Sequence, residues 1–202
     1  MMNGADIYDR IRTILPNNTI LSSCVYIASH IKDKGIVEHK GKGAKLIFGR
    51  DPAHLSVNFD WIVELVKQSK INYEFKEDAL FDIWTKFIFI ASFGLVSAKH
   101  NSSIGAVCNN IDEKEEATKI MQEIKLIAES KGIKLQDDII ANTFEKASSF
   151  PPNNPTSLQL DVNSGKEQNE LDLFAGAIMK YGKELNISTP ATTKIYQEIK
   201  AK

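Results

Sequence analysis

Two cysteines, Cys24 and Cys108, are all that 202 residues contain. That is too few for a disulfide framework, and both have apolar or small neighbours, so they read as reduced thiols in a cytosolic compartment. Charge of one sign is lacking too: 25 Lys and Arg stand against 26 Asp and Glu, a formal net charge of -1. With no long basic run and little interleaving of aromatic with basic residues, there is no electrostatic footprint for nucleic acid. The start, Met1 to Asp6, lacks a positively charged region followed by an apolar stretch, so no secretory signal is expected. The longest uncharged apolar run, Phe87 to Ala98, is shorter than the roughly 20 residues that cross a bilayer and reads as a buried core helix, without a membrane partner. His30, His39, His54 and His100 are scattered and form no His-Glu-x-x-His pattern, so no metal site is expected. Gly-x-Gly-x-x-Gly, the phosphate loop and Gly-x-Ser-x-Gly are all absent.

What is present is an ordinary globular composition, 43% hydrophobic and 25% charged, enough for one generous core or two small ones. Residues 5–15 have helical spacing, ended by Pro16, and Thr19 to Ile31 is rich in branched residues and reads as a strand. Gly35 to His39 and Ala44 to Gly49 flank Lys40-Gly41-Lys42-Gly43, which predicts a hairpin turn there. A helix is predicted from about Ala53 to Ser69, a short extended piece at Tyr73-Glu74-Phe75, and a long apolar helix from near Glu77 towards Ala98. Beyond it the chain reads as helices. Asp112 to Glu115 offers an N-cap and capping box with a solvated acidic first turn, Ile120, Ile124, Ile127 and Ala128 form an inward stripe, and Gly132 ends that helix. Further helices are expected at about 136–148, from Thr156 (with Gln159) or Asn154 (with Pro155) to Val162, from Glu167 to Leu185, and from Thr189-Pro190 onward. The fold class is therefore mixed but mostly α: an α/β piece at 1–76, then an all-helical domain at 77–202.

Lys86 is the residue that most needs a reason, since it lies within Leu80 to Phe93, an apolar run. Desolvation disfavours the ammonium and makes a lysine a competent proton donor near neutral pH. The plainer reading is that Asp82, four residues earlier, pairs with Lys86, or that the stem follows apolar surface while the head reaches water. Spacing alone favours the plainer reading. Ser157 falls in the first turn of a helix, where free N–H groups can hold a carboxylate, although capping explains it equally well. Glu170 opens a helix face that also carries Phe174, Ile178 and Tyr181, and an exposed glutamate is the simple alternative.

Asn3-Gly4, Gly35 to Gly41 with Leu46 to Gly49, Ile83-Trp84-Thr85-Lys86, Thr156 to Asp161, Asn169 to Asp172 with Gly176, and Thr189-Pro190 together resemble the ketopantoate reductase (2-dehydropantoate 2-reductase) family. The resemblance covers essentially the whole chain. It implies a Rossmann-type α/β remnant of the NADP-binding domain followed by a helical substrate and dimerisation domain, similar to the C-terminal domain of 6-phosphogluconate dehydrogenase. It also implies a cytoplasmic oxidoreductase of pantothenate biosynthesis that reduces ketopantoate with NADPH. By that resemblance Lys86 is the general acid, Asn3 and Ser157 meet the substrate, and Asn3 and Glu170 meet the cofactor. Where the family carries asparagines four and eight residues after its lysine this chain has Ile90 and Gly94, the later Asn-Gly falls at Ile104-Gly105, and Asn101 is the candidate replacement amide. The glycine-rich first half of the cofactor domain is not in this chain, so NADPH belongs to the full-length parent and the 202 residues alone are expected to be inactive. Two readings follow: a reductase of ketopantoate or of another 2-oxo acid, and a non-catalytic helical module that associates with itself, as a homodimer.

Overall fold

Branched residues between turn signals give the N-terminal part its strands, and apolar periodicity gives the rest its helices. The computed structural model describes residues 2–202, with the side chains of residues 30 and 40–42 outside the description. The elements are α1 (Ile7–Ile14), β1 (Ser23–Asp33), β2 (Ile36–Gly49), α2 (Asp60–Gln68), β3 (Tyr73–Lys76), α3 (Leu80–His100), α4 (Ile104–Asn109), α5 (Ile111–Ser130), α6 (Ile139–Ser148), α7 (Ser157–Asn163), a π-helical turn (Asp172–Gly176), α8 (Ala177–Leu185) and α9 (Pro190–Lys200). This is the mixed, mostly helical class expected. Two compact units share the chain: one holds residues up to Asn3 and Ile7–Ile83, the other Gly4–Asp6 and Trp84–Lys202.

In the first unit β1 runs antiparallel to β2, from Ser23 opposite Phe48 to Asp33 opposite Ile36. β2 then pairs in parallel with β3, Leu46 opposite Tyr73 through Gly49 opposite Lys76, with α2 as the crossover that parallel pairing requires. The hairpin turn lies at Lys34-Gly35, with Gly35 at φ +76°, and not at Lys40 to Gly43 as the glycines suggested. Those residues belong to β2, where pairing jumps from Tyr26–Lys45 to Ala28–Lys40. The glycine signal is thus absorbed by a wide bulge, with Gly43 at φ +136°. A small core of Cys24, Ile47 and Ala79, flanked by Tyr26 and Ile83, seals one face.

The predicted start of α2 at Ala53 is also corrected, by one buried carboxylate. Asp51 is fully buried and accepts hydrogen bonds from Tyr8 Oη (2.7 Å), Arg12 Nη2 (2.5 Å), the backbone N–H groups of Ile20 (2.7 Å) and Ala53 (2.9 Å), with His54 Nδ1 at 2.9 Å. Holding Ala53 and His54 this way keeps the segment in turns. The helix waits for Asn58, whose Oδ1 accepts from Asp60 N at 2.8 Å.

The second unit is organised on α3. Asp78 Oδ1 accepts from Leu80 N at 2.7 Å and opens the helix; Asn101, at φ +52°, follows its end in the left-handed conformation. Mostly apolar, α3 buries Trp84, Phe87, Ile88, Ala91 and seven residues from Ser92 to Ala98. Although the uncharged run falls short of a bilayer, the 21-residue helix as a whole is long and apolar enough to cross one; its buried residues pack within the protein. Each large side chain so buried contributes about 1.5–3 kcal/mol. Trp84 lies 6.0 Å from Tyr181, Phe87 lies 6.3 Å from Phe174, and Phe89 stacks on Phe150 at 5.6 Å, ring centre to ring centre.

Two helix starts differ from expectation, and a third, α9, begins at Pro190 as expected. α5 is capped by Asn110, whose side chain accepts from Asp112 N and Glu113 N, and not from the acidic run itself. Glu113 is buried and accepts from Ser102 Oγ at 2.6 Å, so that first turn is not wholly solvated. The helix expected from Glu167 begins after Asn169, because Asn169 Oδ1 captures Leu171 N at 3.0 Å. The start of α9 is held from outside: the buried Glu123 carboxylate accepts from Ala191 N (2.7 Å), Thr192 N (3.0 Å) and Thr192 Oγ1 (2.6 Å).

Burial alone pushes the Asp51 carboxyl up, but the bonds from Tyr8, His54, Ile20 N and Ala53 N outweigh it and hold it far below the usual carboxylate range. A depressed folded-state value means the stabilisation is complete above the unfolded value of about 3.9 and is lost as pH falls below it towards the folded one. Asp51→Ala should therefore cost about 3 kcal/mol near pH 7 in urea unfolding followed by circular dichroism. The deficit relative to wild type should shrink steadily on acidification below the carboxylate range.

Candidate active site

α7 is placed against the middle of α3 by a short polar link and a missing side chain. Ser97 Oγ lies 2.7 Å from Thr156 Oγ1, which also accepts from Gln159 N at 3.2 Å and caps α7. Of the two starts the sequence offered for this helix, Thr156 is the one used. One turn back on α3, a Cβ on Gly94 would stand 3.3 Å from the Phe174 ring and 3.7 Å from Leu158 Cβ. The Gly94 surface is therefore the seat of both α7 and the π-helical turn.

Ser157 and Glu170, thirteen positions apart, meet at this seat. Ser157 Oγ donates to Glu170 Oε2 at 3.1 Å, and Glu170 O accepts from Phe174 N at 3.0 Å. Ser157 is exposed and Glu170 half-buried, so the bond between them competes with water and is readily exchanged for a ligand contact. Asn101 joins the other end of α7, where its Oδ1 accepts from Gln159 Nε2 at 2.9 Å and from Asn163 Nδ2. Its oxygen is thus spoken for by protein amides.

Lys86 is half-buried on α3. The carboxylate that spacing offered it, Asp82, gives both oxygens to Lys76 Nζ at 2.9 and 2.8 Å. Asn3 is half-buried and precedes Gly4 at φ +123°, a conformation that glycine adopts without strain. Gly105 also has a structural reason: its N–H reaches Pro152 O at 2.9 Å, and a Cβ there would stand 2.5 Å from that oxygen. A cavity of about 130 Å³ lies elsewhere, bordered by Lys99, Glu116, Lys194 and Glu198, and touches none of the residues singled out from the sequence. Burial opposes the Lys99 ammonium there, but its bonds to Glu116 and Glu198 outweigh it and raise its pKa. Cys24 is buried and Cys108 half-buried, with burial pushing the Cys108 thiol up.

The sequence reading missed Asp51, Glu123 and α4. The first two are single acidic letters whose partners lie tens of residues away. The signal for α4, Ser103 accepting from Ala106 N, is three residues long.

The family profile described as ketopantoate reductase PanE/ApbA C terminal matches residues 78–202, and the ketopantoate reductase PanE/ApbA profile matches residues 1–52. A 2-dehydropantoate 2-reductase of Streptococcus pyogenes serotype M3 is 22% identical over 202 residues, which is 100% of this chain and 66% of that protein. The chain thus spans just under two thirds of its curated relative. Among solved structures, D-mandelate dehydrogenase with NADH and anilino(oxo)acetate aligns at TM-score 0.86 and 16% identity, covering 100% of this chain and 65% of that one. A dimeric ketopantoate reductase from Staphylococcus aureus aligns at 0.79 and 18%, covering 92% and 62%. These likenesses establish a shared fold.

Two substitutions separate packing from site. Gly105→Ala should lower stability by about 1–3 kcal/mol, because backbone and not a flexible side chain opposes the added methyl. Ser157→Ala should change it by no more than about 0.5 kcal/mol, as expected for an exposed hydrogen bond. Urea denaturation midpoints of the two variants check both.

Proposed function

The chain belongs to the ketopantoate reductase family, and from that premise we propose that it forms the substrate side of a nicotinamide-dependent reductase of 2-oxo acids, with Lys86 as the general acid. The observation that carries this reading is the Ser157–Glu170 hydrogen bond: two residues chosen from separate sequence segments meet on the elements packed against the helix that bears Lys86. NADPH, when bound, supplies the hydride for C2 of the substrate. Lys86, at the edge of an apolar helix, protonates the alkoxide oxygen that develops, and its charge stabilises that oxygen before transfer. Ser157, released from Glu170, donates its hydroxyl to the substrate carboxylate. The Asn101 nitrogen is a further contact on the same side.

Cofactor contacts available in this chain are Asn3, presented beside the positive-φ Gly4, and Glu170. The glycine-rich turn for the pyrophosphate is not in the sequence. We therefore assign residues 1–76 to the remnant of the cofactor domain, residues 77–202 to the substrate and dimerisation domain, and full turnover to a longer protein working in the cytoplasm. NADH bound to the D-mandelate dehydrogenase neighbour, and anilino(oxo)acetate beside it, support the cofactor and substrate classes.

A second reading is favoured by the surface of the first unit. β3 is an edge strand, and Trp61 and Leu65, one turn apart on α2, are 67% and 59% exposed. Such a surface favours self-association, and the dimeric Staphylococcus aureus relative is in keeping with a homodimer. On this reading the 202 residues alone are a dimeric module that does not bind NADPH.

With the N-terminal third of the Streptococcus pyogenes relative supplied in trans or as a fusion, reduction of ketopantoate or another 2-oxo acid should follow NADPH oxidation at 340 nm. Lys86→Ala should lower kcat at least about 100-fold. Full turnover in that variant would remove Lys86 from the mechanism. For the chain alone, a dimer in sedimentation velocity and no heat with NADPH are expected; a monomer that binds NADPH would exclude the second reading.

A further inference from the structure

Between Lys86 and the point where α7 begins, α3 presents no hydrogen-bonding side chain. One turn beyond Lys86 on the same face stand Phe89 and Ile90, both half-buried. The next turn supplies Phe93 and Gly94, both buried. Ser92 turns its hydroxyl to Ile88 O at 2.6 Å, and Ser97, the first polar side chain along that row, is committed to Thr156. The Phe89 ring is stacked between Phe93, at 5.0 Å and 29°, and Phe150, at 5.6 Å and 21°. Phe89 and Ile90, adjacent and both half-buried, thus leave the edge of this stack and a branched aliphatic side chain as apolar surface on that part of α3. Gly94 cannot supply the missing polarity, because even a methyl there meets Phe174 at 3.3 Å.

Resting on the reading of Lys86 and Ser157 given above, we propose that this site is specific for 2-oxo acids with a large apolar, preferably aromatic, side chain, and that Ile90 and Phe89 set this specificity. A substrate extending from Ser157 to Lys86 lays its side chain along this surface. A hydroxyl on that side chain loses water and gains no partner from α3, whereas an aryl group meets rings and methyls. Ile90 is a specificity residue here, one that touches the substrate without taking part in proton transfer.

The test is a calorimetric and NMR titration of the 202-residue chain with phenylglyoxylate and with ketopantoate, which carries a hydroxyl. Wild type should bind phenylglyoxylate about tenfold or more tightly, and Ile90→Asn should narrow or invert that ratio; Ile90→Thr serves in its place if the amide variant does not fold. Equal or tighter binding of ketopantoate by wild type, or a ratio unmoved by either variant, overturns the specificity while binding that still weakens in Lys86→Ala leaves the underlying site intact. If neither acid binds, or if Lys86→Ala binds both as wild type does, the site itself is wrong and the specificity falls with it.

Discussion

The contact between Gly94 and Phe174 is the constraint on which the helical unit depends. From Ala91 to Ala98 α3 is buried around its whole circumference and must be covered there, and the absent Cβ lets the π-helical turn and α7 approach it at van der Waals distance. Everything that brings Ser157 and Glu170 together hangs on this seat: Phe174 is one turn beyond Glu170, Leu158 is next to Ser157, and the Ser97–Thr156 link fixes the register between them. The π-helical turn follows Glu170 closely and shifts the phase of the helix where Phe174 is inserted.

Two buried carboxylates perform for the loops what that contact performs for the helices. Asp51 gathers groups from α1, the approach to β1 and the turn after β2 in the first unit, and Glu123 holds the first turn of α9 in the second. In both, backbone N–H groups that would be orphaned are satisfied by an anion already desolvated, a combination stronger than either neutral pairing or water.

How much of this was legible follows the range of each interaction. The stripe of Ile120, Ile124, Ile127 and Ala128, the Thr156 cap and the apolar α3 are local patterns, and the sequence displayed them. Lys86, Ser157 and Glu170 could be picked out as types in unusual settings, but that Ser157 would donate to Glu170 could not, because nothing between them in sequence encodes their distance. The Lys40 to Gly43 signal was real but ambiguous, since a bulge and a turn both ask for positive φ. Asp51 and Glu123 were invisible because a buried acid and a surface acid are the same letter; only the arrival of distant partners distinguishes them.

The crossover from β2 through α2 to β3 has a kinetic corollary. β3 is four residues long and joins the sheet in parallel, so it gains its ladder only after the whole intervening segment has been closed. The β1–β2 ribbon and the helices beyond α3 are joined by short connections and form early. Refolding would then leave the outer strand as the last piece to zip up, and hydrogen exchange during renaturation would find the Leu46 amide, which donates to Asn72 O on that edge, protected late.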